Sequence, residues 1–295
     1  MILSSMRRQF SKVARLQVSS ILVKPETPLL VVFSAPRTGS NHLFDYLAAR
    51  EGVTSLSEVF NNATRGLSKE ERSLRRQAWG RGAEAAKLAA EHPVESLAFV
   101  DKLRDTRLAA VKIQPRHLDV PGPAGELIDA CIGHVFLRRN PLAVWISRKQ
   151  ARTTRIWAHA NTESEHVTFS GIEFAKSTRA SLSKLDLLEQ LCYERGFTPY
   201  VLTYRELCNM ESPGELWDEL HSAFPRIEPE QLRSSFVPNF VKQDSRLPFE
   251  RLSNPDEAVA WLRIHGLDYL VENSDEFSSR LSLIHISEPT RLLSI

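Results

Sequence analysis

The chain has 295 residues, 42% of them apolar and 25% charged, with a formal net charge of +2; this is the profile of a globular protein long enough for one extensive core. So small a charge gives no footing for nucleic-acid binding, and no apolar run approaches the ~20 residues of a membrane-spanning helix. Cys131, Cys192 and Cys208 lie at neither metal-ligand nor C-x-x-C spacing; they imply a reducing, cytoplasmic setting without a disulfide frame, and are expected as small buried hydrophobes.

Residues 1–28 form a basic leader. Arg7, Arg8, Lys12, Arg15 and Lys24 stand there without an acid before Glu26, a composition shared by organelle transit peptides and by basic surface helices. The first strong element is "LLVVFS", an apolar run over Leu29 to Ser34 that reads as a buried strand. A turn, "APRTG", follows, and a helix is expected from Ser40. Further helical patterns cover Ser68 to His92, a segment starting at Pro141, and Gly171 to Arg195. Candidate strands recur at Leu108 to Ile113, His134 to Leu137 and Tyr200 to Thr203. Their nearly continuous apolar character suits strands buried on both faces, and strand-helix alternation predicts one three-layer α/β domain over 29–270, a parallel sheet flanked by helices. The tail, 271–295, ends in "LSLIHISEPTRLLSI", which resembles a translated sequencing-adapter read.

In an open parallel sheet, ligands sit beyond the carboxyl ends of the strands, where loops enter helix N-termini. "SAPRTGSNH" occupies such a place. Unpaired N–H groups and a partial positive charge make a helix N-terminus an anion site. Gly39 allows close backbone approach, Thr38 and Ser40 offer hydroxyls, and Arg37 adds a forked cation. The plain alternative is a Ser40 N-cap beside an ordinary surface arginine. A magnesium-dependent kinase or NTPase loop needs G-x-x-x-x-G-K-[ST]; this turn has one glycine and no lysine.

A second turn lies in "HVFLRRNPLAVWISRKQARTTRIW", His134 to Trp157. Asn140 can cap a helix that Pro141 starts, and Ser147 returns to the same face two turns later, so Arg139 and Ser147 can converge on one anion. From Cys131 to Thr162 there is no acid, while Arg138, Arg139, Arg148, Lys149, Arg152 and Arg155 accumulate. Two anion sites after two different strands suit a ligand with anionic groups at two separated positions.

These motifs resemble those of the sulfotransferases that use 3′-phosphoadenosine 5′-phosphosulfate (PAPS), in the arginine-bearing form of the carbohydrate and bacterial branch. "APRTGSNHL" resembles their 5′-phosphosulfate loop and "RNPLAVWIS" their 3′-phosphate motif, with support from "LSEVFN", "AAVKIQ", "TYREL" and "KQDSRLPFERLSNPDEAVAWL". The resemblance implies a P-loop-like sulfotransferase fold in which Arg37, Thr38, Gly39, Ser40 and Asn41 wrap the phosphosulfate and Arg139 and Ser147 hold the 3′-phosphate. Lys112 would stand beside the transferring group. Where the small-molecule branch has a histidine base, this chain has Gln114, so the resemblance moves the base to Glu58, with His42 and His117 as rivals. Trp157 is either an acceptor-side tryptophan or a core one. PAPS would be the donor and 3′,5′-adenosine bisphosphate (PAP) the product, with no metal required. The acceptor would be a hydroxylated molecule, either carbohydrate-like (a sugar or glycolipid) or another small molecule. A kinase or NTPase on a related fold, and a PAP-binding relative without catalysis, are the competing readings.

Overall fold

In a computed structural model of the chain, the described residues are 27–56, 60, 87, 90–98, 106–118, 122–155, 165–227 and 247–272. The basic leader up to residue 26, most of the expected Ser68 to His92 helix and the tail beyond 272 lie outside them. β1 (Leu29–Ser34) runs into α1 (Ser40–Ala48), followed by β2 (Val53–Leu56), α2 (Pro93–Ala98), β3 (Leu108–Ile113) and α3 (Gly122–Ala130). Then come β4 (Gly133–Arg138), α4 (Pro141–Thr154), the long α5 (Gly171–Glu194), β5 (Tyr200–Thr203), α6 (Tyr204–Asn209) and α7 (Pro213–Ala223). A 3-10 turn (Phe249–Arg251), α8 (Pro255–Ile264) and α9 (Tyr269–Glu272) complete the described part.

The five strands form an all-parallel sheet in the order β2-β3-β1-β4-β5, with β1 at its centre. Alternate residues of β1 serve two cores, because successive side chains of a strand point to opposite faces. Leu29, Val31 and Phe33 pack with Leu127 of α3 and Leu185 and Leu188 of α5, whereas Leu30 and Val32 pack with Leu43 and Leu47 of α1 and Trp217 of α7. Helices therefore cover both faces, and the three-layer α/β expectation holds. A third cluster joins Trp145 and Ile146 of α4 to Phe169, Phe174 and Leu262, tying α8 to the outer side of α4. Among the described residues, no helix is long and apolar enough to cross a membrane.

The structure differs from the pattern in several places. β2, an edge strand, escapes it because Thr54 and Ser55 are only half-buried and break the apolar run. β4 extends one residue beyond each end of His134 to Leu137. α3 carries two glycines and a proline in nine residues, which hid its helical period. Cys131 and Cys192 are buried as expected, but Cys208, near the end of α6, is exposed. The acid-free basic run meets acids from another part of the chain. Arg138 is buried and paired with Asp186 and Glu189, and Lys149 pairs with Glu173, all three acids coming from α5.

His134 sits at the start of β4, its Nε2–H donating to the Ile128 carbonyl at 2.8 Å and its ring against Phe197 at 4.7 Å. Burial lowers its pKa, outweighing the raising effect of the Ile128 bond and of Asp129. Below the ordinary histidine value of about 6.5 the unfolded chain takes up a proton that the folded chain refuses, so stability falls on acidification, by at most about 1.4 kcal/mol per pH unit for this group. His134→Gln, which can keep the donor to Ile128, should flatten part of that slope. Urea unfolding at pH 7 and pH 5 measures it, and an equal pH slope in both proteins contradicts the assignment.

Candidate functional site

The site forms where β1 and β4 end. Ala35 to Gly39 carry the chain from β1 into α1, and two of these residues take left-handed backbone: Arg37 at φ 73° and Gly39 at φ 91°. For arginine that conformation costs about 1–2 kcal/mol and persists only where the surroundings enforce it. Such alternation aims successive backbone N–H groups toward a common point, as in an anion nest. The Thr38 hydroxyl donates to the Ala35 carbonyl at 2.8 Å, so its proton closes the loop instead of pointing outward. Gly39, not Ser40, is the N-cap of α1, and no side chain caps that end. The first-turn N–H groups of α1 are therefore left to a partner other than a capping side chain, and the plain Ser40-cap reading does not hold.

Lys112 rises from β3, opposite Val32 in register and 2% exposed. Its ammonium donates to Asn41 Oδ1 at 3.1 Å, in the first turn of α1, and lies 5.8 Å from the centre of the Phe44 ring. The cation is thereby fixed at the flank of the loop.

The second motif closes on the first. Asn140 Oδ1 accepts from the N–H groups of Leu142 and Ala143 at 2.9 and 3.2 Å, capping α4 as expected. Two turns on, Ser147 Oγ accepts from Arg37 Nε–H at 2.9 Å, while Arg139 donates from Nη1 to the Arg37 carbonyl at 3.0 Å. The two motifs thus touch directly instead of standing apart as two separated sites: Arg37, expected at one anion, spans to the serine expected at the other. Burial first, then the charge of Arg139, pull the Arg37 pKa down to about 10, against an opposing contribution from Tyr204. At neutral pH it stays charged.

Tyr204, the first residue of α6, holds this arrangement from beneath. The Arg139 guanidinium stacks over its ring at 4.1 Å, and the same ring lies against the Gly39 backbone, where a Cβ would overlap it. The segment "TYREL" signalled this place, and its capping box, in which Thr203 Oγ accepts from the Glu206 N–H and Glu206 accepts from the Thr203 N–H, fixes where Tyr204 begins the helix. Gly39→Ala combines an unfavourable backbone with displacement of a buried ring, a loss of about 2–4 kcal/mol. A drop of roughly 5–15 °C in melting temperature is expected; an unchanged value contradicts the packing described.

The base candidates separate by geometry. His117 Nδ1 accepts the Gln114 N–H at 3.1 Å, which places the ring proton on Nε2 and engages its basic lone pair. His42, half-buried on α1 with its ring 4.5 Å from that of Tyr46, has its pKa lowered by burial and is neutral at pH 7. Glu58 and Trp157 lie outside the described residues.

One observation tests whether the site suits an anion. Arg139 Nε is buried and has no acceptor among the described residues. A charged donor so placed is costly without a partner, and an oxyanion supplies one.

No family model matches the chain, and no curated protein matches it. Among solved structures it is similar to a sulfotransferase domain from the Synechococcus PCC 7002 olefin synthase, at 16% identity and a TM-score of 0.37, over 89% of this chain and 93% of that one.

Proposed function

We propose that the protein transfers a sulfuryl group from PAPS to a hydroxyl of a carbohydrate-like or other small-molecule acceptor. The observation that carries the reading is the junction of the two motifs, in which Arg37, Arg139 and Ser147 meet within hydrogen-bond reach at the carboxyl ends of β1 and β4. An uncapped helix end, a left-handed loop, two converging guanidiniums and a buried lysine on the same flank suit a ligand whose anionic groups are linked to each other.

In this reading Arg139 and Ser147 bind the 3′-phosphate, while Arg37 and the N–H groups of Gly39 to Asn41 bind the 5′ group. The bond that breaks joins the sulfur to the bridging oxygen of the donor; the bond that forms joins the sulfur to the acceptor oxygen. Lys112 and Arg37 stabilise charge growing on the bridging oxygen, and the acceptor's proton passes to Glu58. Fixed donors and positioning supply the rate enhancement.

Glu58→Gln should bind PAP as the wild type does but lose about a hundredfold or more in transfer, the usual weight of a general base. Near-normal turnover would move the base to His42 or another group. Calorimetry with PAP tests the binding half of the proposal. Tight binding that needs no magnesium and is not shared by ATP supports it; magnesium-dependent ATP binding without PAP binding replaces it by a kinase or NTPase.

A further inference from the structure

The stripe of α5 that faces the sheet and α4 changes character along its length. Toward its C-terminal end it carries Leu182, Leu185 and Leu188 in the core, with Asp186 and Glu189 beside them on Arg138. One turn nearer its start it carries Ser177, Thr178 and Ser181. With Arg148 of α4, these hydroxyls line a cavity that reaches Thr38 and Arg139 of the site described above.

Arg148 donates from Nη1 to Ser181 Oγ at 3.1 Å and to Ser177 Oγ at 3.3 Å. Among the described residues it forms no ion pair, although Arg138, Lys149 and Arg195 each have a carboxylate partner. It is half-buried, and burial together with the charges of Arg152 and Arg116 lowers its pKa. A guanidinium drawn out of water, facing hydroxyls and repelled by two more arginines, is solvated but not neutralised. Apolar residues or acids at 177 and 181 would make this part of α5 like the rest; hydroxyls accept from Arg148 and still have a proton to give a ligand. Successive residues of a helix point about 100° apart, so Ser147 faces Arg37 while Arg148 faces α5. The Ser147 face and the Arg148 face thus stand side by side on α4.

We propose that Arg148, Ser177 and Ser181 form an oxyanion subsite next to the transfer site, and that the acceptor is a hydroxylated molecule already carrying a carboxylate or a sulfate or phosphate ester. The assignment to the acceptor rests on the sulfuryl-transfer reading; the anion subsite itself does not.

The test is calorimetric titration of the full chain, saturated with PAP, with methyl sulfate in one arm and sodium glucuronate in the other, which separates an ester from a carboxylate. Binding of at least one probe is expected, weakened about tenfold or more in Arg148→Gln and in Ser181→Glu, which keeps the arginine but gives it an internal carboxylate. Arg148→Lys should retain most of the binding, and all three variants should bind PAP as the wild type does. The subsite is overturned if neither probe binds, if Arg148→Gln and Ser181→Glu leave the affinity unchanged, or if PAP displaces the probe. Anion binding that depends on Arg148 in a protein that does not bind PAP supports the subsite and overturns its assignment to an acceptor.

Discussion

Arg37→Ala should lose measurable PAP binding and about a hundredfold or more in transfer rate, on the order of 3 kcal/mol in the transition state by comparison with loss of an oxyanion donor. Both effects come from one guanidinium. In the ground state it links the β1 loop to Ser147 at 2.9 Å and lies beside Arg139; in the proposed reaction it would also meet the charge left on the departing oxygen. The left-handed backbone at φ 73° supplies a control. Arg37→Gly removes the same side chain but accepts that conformation without strain, so it should bind as weakly as Arg37→Ala while being more stable by about 1 kcal/mol. Loss of binding in the alanine variant alone would assign the effect to loop distortion, not to the guanidinium.

Lys112→Met should behave differently. A lysine that touches charge developing only in the transition state lowers kcat when removed and leaves ground-state affinity nearly intact. We expect a loss of about a hundredfold or more in kcat with PAP affinity changed by no more than a few-fold. The position is 2% exposed, and methionine fills similar space without the cost of burying a cation, so the fold should tolerate it. Lys112→Arg should not restore the rate, because a planar fork cannot take the place of a compact ammonium held on Asn41 Oδ1. Equal losses in kcat and in PAP affinity would place Lys112 among the ground-state contacts.

The sheet was legible in the chain because its strands are buried on both faces; six consecutive buried residues in β1, β3 and β4 leave an apolar run that no exposed helix needs. β2 was not, since an edge strand with Thr54 and Ser55 half-exposed has no such run. Arg37, Arg139 and Ser147 could be picked out because each stands at a fixed offset from a turn residue, Gly39 or Asn140. Their direct contact could not be, because it depends on the parallel pairing of β1 with β4, in which Phe33 lies opposite Phe136 and brings both loops to one edge. The partners of Arg138 and the setting of Arg148 were hidden for a related reason: they come from α5, about 30–50 residues further on, and only packing brings a distant acid or hydroxyl against a basic run. The exposure of Cys208 shows the same limit, since a cysteine's place on a short helix follows from what that helix packs against.

In the proposed reading, the junction of Arg37, Arg139 and Ser147 recognises a nucleotide through two phosphate positions. Calorimetric titration of the wild-type protein with PAP and, separately, with adenosine 5′-phosphate tests it. Binding of PAP tighter by at least about tenfold, with the difference abolished in Arg139→Ala, is the predicted result. Equal affinity for the two nucleotides in the wild type, or no binding of either, would contradict it.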